Sequence, residues 1–498
     1  MSSFREYINK GFQYMFSLQR LTIIYIASII LISVIYFQIY YHIWFMKLFG
    51  WEKAANQNAF FILAFTGIFI ICQLVLLKQG KIEKKINESS KRLVIPILLY
   101  VVFGSFVIIL HEEGFGAIKR YFFYLFSPML VCISIFGLYR NNENLKTALQ
   151  TLFIVGVTLS IYSMILHWGT PNTVNAVHST TKDGVVSWGV LDETHNVINP
   201  VYFTKKGAVV RFAFPGIAPN TFASMLIPII LIGLYFIKNS KGIFEYIYVG
   251  VTLFLFYTLL ETISRAVFVS VVIGMAYFIV RSWSGFKKMT VIIFIAGLMF
   301  VTAIQETFFL RALQTIAAFN PSITEVSFLE KIFEEKIVAI GLAETGPGRG
   351  EVVLGGETRL HMMMNTLSYI KAKPILGYGF TRLESLQTKS FDGSIDHNFY
   401  LRLTAQAGLL VVIPLAFFLF LLYNNARNVL VRRPSGDMMI SGSNSKDMGV
   451  LLLAGLFAFL VDLNAPPGFF HFYWVWFGFA AAWARNCEAE YRILRKPL

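Results

Sequence analysis

NTFASMLIPIILIGLYFI at residues 220–237, IFEYIYVGVTLFLFYTLLET at 243–262 and AVFVSVVIGMAYFIVR at 266–281 decide the class of fold. Each run is close to the roughly 20 mostly apolar residues that carry a helix across the hydrocarbon core of a bilayer. No water reaches backbone polar groups there, so the chain must satisfy them within a helix. Runs of the same kind lie near 21–41, 58–77, 93–110, 121–139, 147–167, 289–308, 402–423, 449–463 and 469–484. The sequence therefore predicts an all-α polytopic membrane protein with about 12 spanning helices.

Composition agrees. Of the 498 residues, 56% are hydrophobic and only 14% charged, against about 25% charged in a soluble domain. That much apolar surface needs lipid as its solvent. The net charge of +15 would suggest nucleic acid in a soluble chain. Here it reads as the basic loops of a membrane protein, whose partners are membrane lipids and no nucleic acid. Cys72 and Cys132 fall in apolar runs and Cys487 lies near the C-terminus, so no disulfide framework is expected. Leu21–Tyr41 is too long for a signal-peptide core and lacks a small-residue cleavage site, which makes it a retained helix.

Basic residues set the orientation. Lys78, Lys81, Lys84, Lys85, Lys91 and Arg92 follow the second run. Every second loop from there is basic again: Arg140 and Lys146, Lys238 and Lys241, Arg281 with Lys287 and Lys288, then Arg427, Arg432 and Arg433. The last group is Arg485, Arg492, Arg495 and Lys496. The positive-inside rule puts all of these in the cytoplasm, together with both termini. Five segments follow: helices 1–5 over 1–167, a first large outer loop over 168–219, helices 6–9 over 220–308, a second outer loop over 309–401, and helices 10–12 with a tail over 402–498. Short helices are expected in the outer loops, Ile323–Ile340 having an amphipathic mix of residues. Arg433–Asp447, rich in Ser, Gly and Asn, reads as a flexible cytoplasmic linker.

The outer side holds the residues able to do chemistry. Arg265, in Glu261-Thr-Ile-Ser-Arg-Ala266, sits between two runs with almost no loop. It either snorkels to the headgroups or serves a function, since positive charge is disfavoured on that side. Arg211 opens Arg-Phe-Ala-Phe-Pro-Gly-Ile-Ala-Pro-Asn220, an irregular backbone tolerated at a membrane only beside protein or a water-filled cavity. Arg349 and Arg359 lie in the second loop. Arginines converging on one cavity would hold phosphate or pyrophosphate by bidentate hydrogen bonds.

His397 stands in Asp392-Gly-Ser-Ile-Asp-His-Asn398, just before the tenth run. Histidine accepts a proton near neutral pH, and Asp392 or Asp396 would orient it. Asp396 and Asn398 equally suit capping the helix that follows. His111-Glu-Glu113 and Asp192-Glu-Thr-His195 have no metal-site spacing, so neither a metal nor a cofactor is expected. Gly377-Tyr-Gly379 resembles the potassium-filter tripeptide, but occurs once in a chain with too many helices for a pore subunit.

In order along the chain come Pro219-Asn220, Ser264-Arg265-Ala266, Arg359, Lys373-Pro-Ile-Leu-Gly-Tyr-Gly379, His397-Asn-Phe-Tyr-Leu401 and Ala407-Gly408-Leu-Leu. Over roughly 205–425 this set resembles the O-antigen ligase and O-antigen polymerase superfamily of bacterial membrane glycosyltransferases, which are GT-C-like. The resemblance implies an inner-membrane enzyme that moves a glycan from an undecaprenyl-pyrophosphate carrier to an acceptor hydroxyl, metal-independent and inverting. It implies Arg265, Arg359 and His397 as catalytic, His397 serving either as the base or, as imidazolium, as a pyrophosphate ligand; Arg211, Arg349, Asn398 and Asp396 are expected beside them as pyrophosphate or substrate ligands. Two features depart from the family. Gln406 stands where an acidic residue is common, and the stretch from Arg265 to Arg359 is long for a ligase.

The long loops lean the reading toward a polymerase, whose acceptor is another lipid-linked glycan, over a ligase that uses lipid A–core. A protein O-oligosaccharyltransferase is a third acceptor class, and a lipid-linked glycan flippase is the alternative outside enzymes. The sequence leaves sugar identity and oligomeric state open.

Overall fold

The computed structural model describes residues 88–111, 126–138, 142–168, 176–180, 186–191, 197–199, 204–206, 209–211, 219–262, 264–283, 343–345, 352–380, 398–432, 442–463 and 470–494. The expected spans at 21–41, 58–77 and 289–308, and the amphipathic stretch Ile323–Ile340, lie outside them. The described helices are α1 (Glu88–Leu110), α2 (Ser127–Leu138), α3 (Asn142–Trp168), α4 (Pro219–Asn239), α5 (Ile243–Glu261), α6 (Arg265–Ser282), α7 (Gly355–Ala372), α8 (Phe399–Arg432), α9 (Gly442–Asp462) and α10 (Phe470–Leu494). Six of them contain a stretch long and apolar enough to cross a membrane: α1, α3, α4, α5, α6 and α8. The protein is a helical, multi-pass membrane protein. Twelve spans are not all found among the described residues: three expected runs are undescribed, and α2, α9 and α10 are not among those six.

The expected short helices of the first outer loop do not occur among its described residues. Instead β1 (Ala176–Thr180), β2 (Val186–Leu191) and β3 (Val197–Asn199) form an antiparallel sheet in that order, and β4 (Thr204–Lys206) pairs with β5 (Val209–Arg211). These short stretches are rich in Val, Ile and Thr, which favour a pleated backbone. In the second loop β6 (Ala343–Thr345) pairs with β7 (Val352–Leu354), which leads directly into the expected kind of helix, α7.

α4 is the central helix, packed on by α3, α5, α6 and α9. With no hydrophobic drive between helices in lipid, close backbone approach over small residues has to hold such a bundle. Gly274 of α6 lies against Ala458 and the Ala454 carbonyl of α9, where an added Cβ would sit 3.1 Å from the Ala458 methyl. Around α10 the packing is aromatic. Trp474 stacks on Phe418 of α8 at 5.7 Å, and Phe459 of α9 meets Trp476 edge-on. The buried indole nitrogens donate to backbone, Trp476 to the Leu452 carbonyl and Trp483 to the Ser445 carbonyl, as buried Trp requires.

Lys238, Arg281, Arg427 and Arg485 fall near the ends of α4, α6, α8 and α10. These helices run in one direction, so the four charges share one end of the bundle. That end is tied together by Asn142, whose side-chain amide reaches Ser445, Cys487 and Glu490 from the start of α3. Arg485 donates to the Phe136 carbonyl while lying over its ring at 4.7 Å. The flexible linker expected at Arg433–Asp447 is shorter than read, because α9 already begins at Gly442. Asp447 is buried there in the field of Lys238 and Lys446, which gives this polar stretch a reason to fold.

Candidate functional site

The opposite end of the bundle holds Arg265 and Asn398. α4 and α5 are joined by three residues and α5 and α6 by three, so the starts of α4 and α6 lie at the same end. α8 begins there too, since Phe399 donates its N–H to the Leu463 carbonyl at the close of α9, at 3.0 Å. Tyr400 adds a hydroxyl bond to the Leu460 carbonyl at 3.0 Å. α10 joins them, because Tyr473 in its first turn donates to Asp462 Oδ2. Four helix N-termini thus open on one face. The dipoles of helix N-termini favour anions at such a face.

Arg265 is the first residue of α6 and is half-buried on this face. It follows Ser264 and Thr262, both buried, with the Thr262 hydroxyl donating to the Leu259 carbonyl at 2.7 Å. Asn220 opens α4, its carbonyl accepting from Ser224 at 2.9 Å. Asn398 caps α8: its side-chain oxygen accepts from the Leu401 N–H at 3.1 Å. The capping role weighed for Asn398 is therefore present in the structure. Arg359 lies within α7 and Arg211 within β5. Arg349, Asp396 and His397 lie outside the described residues. His111 ends α1 at this face, its Nε2 3.4 Å from the Leu376 carbonyl. Glu112, Glu113 and Asp192–His195 are not described.

Asp462 lies beneath this surface. It is 1% exposed, and its Oδ1 has no hydrogen-bond partner among the described residues. Ser224 and Tyr400 are near it. A buried carboxylate is costly unless paired or hydrogen-bonded, and Tyr473 supplies one of the bonds it needs.

The largest feature that sequence reasoning missed joins two motifs quoted above as separate. α8 is broken at Gly408, where φ is 71° and ψ 178°. In a continuous helix the N–H groups of Leu409 and Leu410 would bond the carbonyls of Ala405 and Gln406. Here all four groups turn instead to residues 373–380, which follow α7. Leu409 donates to Pro374 at 2.8 Å and Leu410 to Ile375 at 3.2 Å, while Ala405 and Gln406 accept from Tyr378 and Gly379, both at 2.9 Å. The Gln406 side chain adds a bond to the Phe380 carbonyl at 3.3 Å. A Cβ on Gly408 would overlap the Ile375 carbonyl, and one on Gly377 would overlap that of Gln406. Lys373 lies over the Tyr378 ring at 4.8 Å, and Tyr369 of α7 meets that ring edge-on. Gly377-Tyr-Gly379 is thus part of a strap laid into a broken helix, a use unrelated to ion selectivity.

Residues 250–416 match the family model for O-antigen ligase. That third of the chain is similar to the O-antigen ligase domain. The match supports the O-antigen ligase and polymerase superfamily, as the motifs led one to expect. The domain runs from within α5, through α6, α7 and the strap, to just past the break in α8. It includes Arg265, Arg349, Arg359, Asp396, His397 and Asn398, and excludes Arg211. No curated protein matches the chain.

Proposed function

We propose that the protein transfers a glycan from undecaprenyl pyrophosphate to an acceptor hydroxyl at the non-cytoplasmic face of the bacterial inner membrane. The O-antigen ligase domain supports membrane glycosyltransferase activity of this general kind. The observation that carries the finer reading is Arg265 at the start of α6, on the face where the N-termini of α4, α8 and α10 also open.

A sugar on lipid pyrophosphate already has a good leaving group. As the bond from the anomeric carbon to the pyrophosphate oxygen breaks, negative charge grows on that oxygen. Arg265 and Arg359 neutralise it, aided by the helix N-termini, as preorganised electrostatic stabilisation. His397 takes the proton of the acceptor hydroxyl as its oxygen attacks the anomeric carbon from the opposite side, inverting that centre. Arg211, Arg349, Asp396 and Asn398 contribute to holding the pyrophosphate and acceptor, Asn398 through the start of α8 as well. The positively charged groups perform the task a metal would otherwise perform.

The acceptor is another carrier-linked glycan, making the protein a polymerase. The two large outer loops favour this over lipid A–core, because two glycan chains must be held together. Arg265→Ala, Arg359→Ala and His397→Ala at matched expression test the reading on a polysaccharide gel. Each is expected to abolish the long ladder and leave single repeats on the lipid A–core. Long chains stranded on the carrier lipid would instead mean a ligase, and accumulation of unglycosylated protein an O-oligosaccharyltransferase. A full-length ladder in all three variants would overturn the catalytic assignment and favour a transporter.

A further inference from the structure

The joint between the strap and the break in α8 lies beside the proposed site. Residues 399–407 form a segment of about two turns, isolated from the rest of α8 by the break at Gly408. Its upper end is fixed by the Asn398 cap and by the bond from Phe399 to Leu463. Its lower end is fixed where the Ala405 and Gln406 carbonyls meet the strap. An unmade backbone bond at that depth is expensive, so the segment and the strap hold each other's geometry. Through the strap the segment is also attached to α7, which bears Arg359, while its first residues directly follow His397 in the chain.

Gln406 is the one side chain shown bonding across the joint. It is 7% exposed, its carbonyl accepts from Gly379, and its Nε2 donates to the Phe380 carbonyl. An acidic side chain at this position would be an acceptor in its ionised form and would face another acceptor. We propose that Gln406 is a positioning residue for glycan transfer: by bonding the strap with both main chain and side chain, it sets the first two turns of α8 against α7. The proposal rests on the glycan-transfer reading above. It also gives the departure from an acidic residue a physical reason, since the Phe380 carbonyl requires a donor.

The test is Gln406→Leu and Gln406→Glu, at matched expression, with surface polysaccharide measured on cells held at about pH 6 and about pH 8. Hydrogen exchange of the strap amides is followed in the purified proteins. A leucine removes the donor, and the loss of a buried bond shifts the equilibrium between closed and open joint by about tenfold. Gln406→Leu is therefore expected to lower polysaccharide about tenfold at both pH values, with faster exchange at Tyr378 and Gly379.

A glutamic acid donates to Phe380 while protonated and faces it as a second acceptor once ionised. Gln406→Glu is expected to match the wild type near pH 6 and fall about tenfold near pH 8. Among the described residues His111, Lys373, Tyr369 and Tyr378 are titratable groups in or beside the strap, and the wild-type protein at both pH values controls for them. Wild-type polysaccharide in Gln406→Leu overturns the proposal, as does a Gln406→Glu response that does not depend on pH. Faster exchange with no change in polysaccharide overturns it too, by showing a joint with no bearing on transfer. Arg265→Ala, run alongside, separates the two readings. If it leaves polysaccharide intact, the glycan-transfer reading fails, while the exchange data still report on the joint.

Discussion

Gly408 stands at a φ of 71° with the Ile375 carbonyl where its side chain would be. That backbone conformation is nearly confined to glycine, and no small movement clears the strap. Gly408→Ala should therefore cost at least about 2 kcal/mol, as strain and overlap combined. Thermal unfolding of the detergent-solubilised protein measures it, and an alanine variant as stable as the wild type would contradict the joint. The sequence displays Gly377, Gly379 and Gly408 openly, yet not their meeting. About thirty residues separate the strap from the break, and neither helical nor strand periodicity records which backbone pairs with which. Arg265 drew notice for a different reason: under the expected orientation it is a cation where the compositional rule disfavours one. Asp462 is an acid inside an apolar helix, and its donor Tyr473 comes from the packing of α10 on α9.

At the scale of elements, the start of α8 offers a clean separation of roles. Asn398 caps the helix, and aspartate or serine caps as well. Asn398→Ser should keep the stability of the wild type, while Asn398→Ala should lose about 1 kcal/mol. If Asn398 also binds substrate by its amide, Asn398→Ser will lose transfer despite its intact fold, and a polysaccharide gel beside a melting curve tells the cases apart. Tyr473→Phe removes the donor to Asp462 at the junction of α9 and α10, and should destabilise by about 1–3 kcal/mol. An unchanged melting curve would show that Asp462 is satisfied otherwise. The apolar runs marked α4, α5 and α6 almost to the residue, because length and hydropathy alone define a spanning helix. The loop strands β1–β5 were not foreseen: their runs are three to six residues long, too short for a periodic signal.

Over the whole molecule, charge divides the two ends. Lys238, Arg281, Arg427 and Arg485 mark one end, and the opened helix N-termini mark the other. In a variant with its three native cysteines replaced, a single cysteine at Lys241 should be labelled only from the cytoplasm. One at Met364, which is exposed on α7, should react with an impermeant reagent added outside. The reverse pattern would invert the topology and leave the carrier-linked glycan on the wrong side for this site. The alternating basic loops give an expected orientation that this labelling tests, whereas the acceptor depends on surfaces that composition does not encode.

The most direct measurement is transfer by the purified protein in liposomes, given undecaprenyl-pyrophosphate-linked glycan in the presence of a metal chelator. The account predicts longer glycan on the carrier together with released undecaprenyl pyrophosphate, both absent with Arg265→Ala and with His397→Ala. Product formed equally by wild type and Arg265→Ala, or a dependence on added divalent metal, would contradict it.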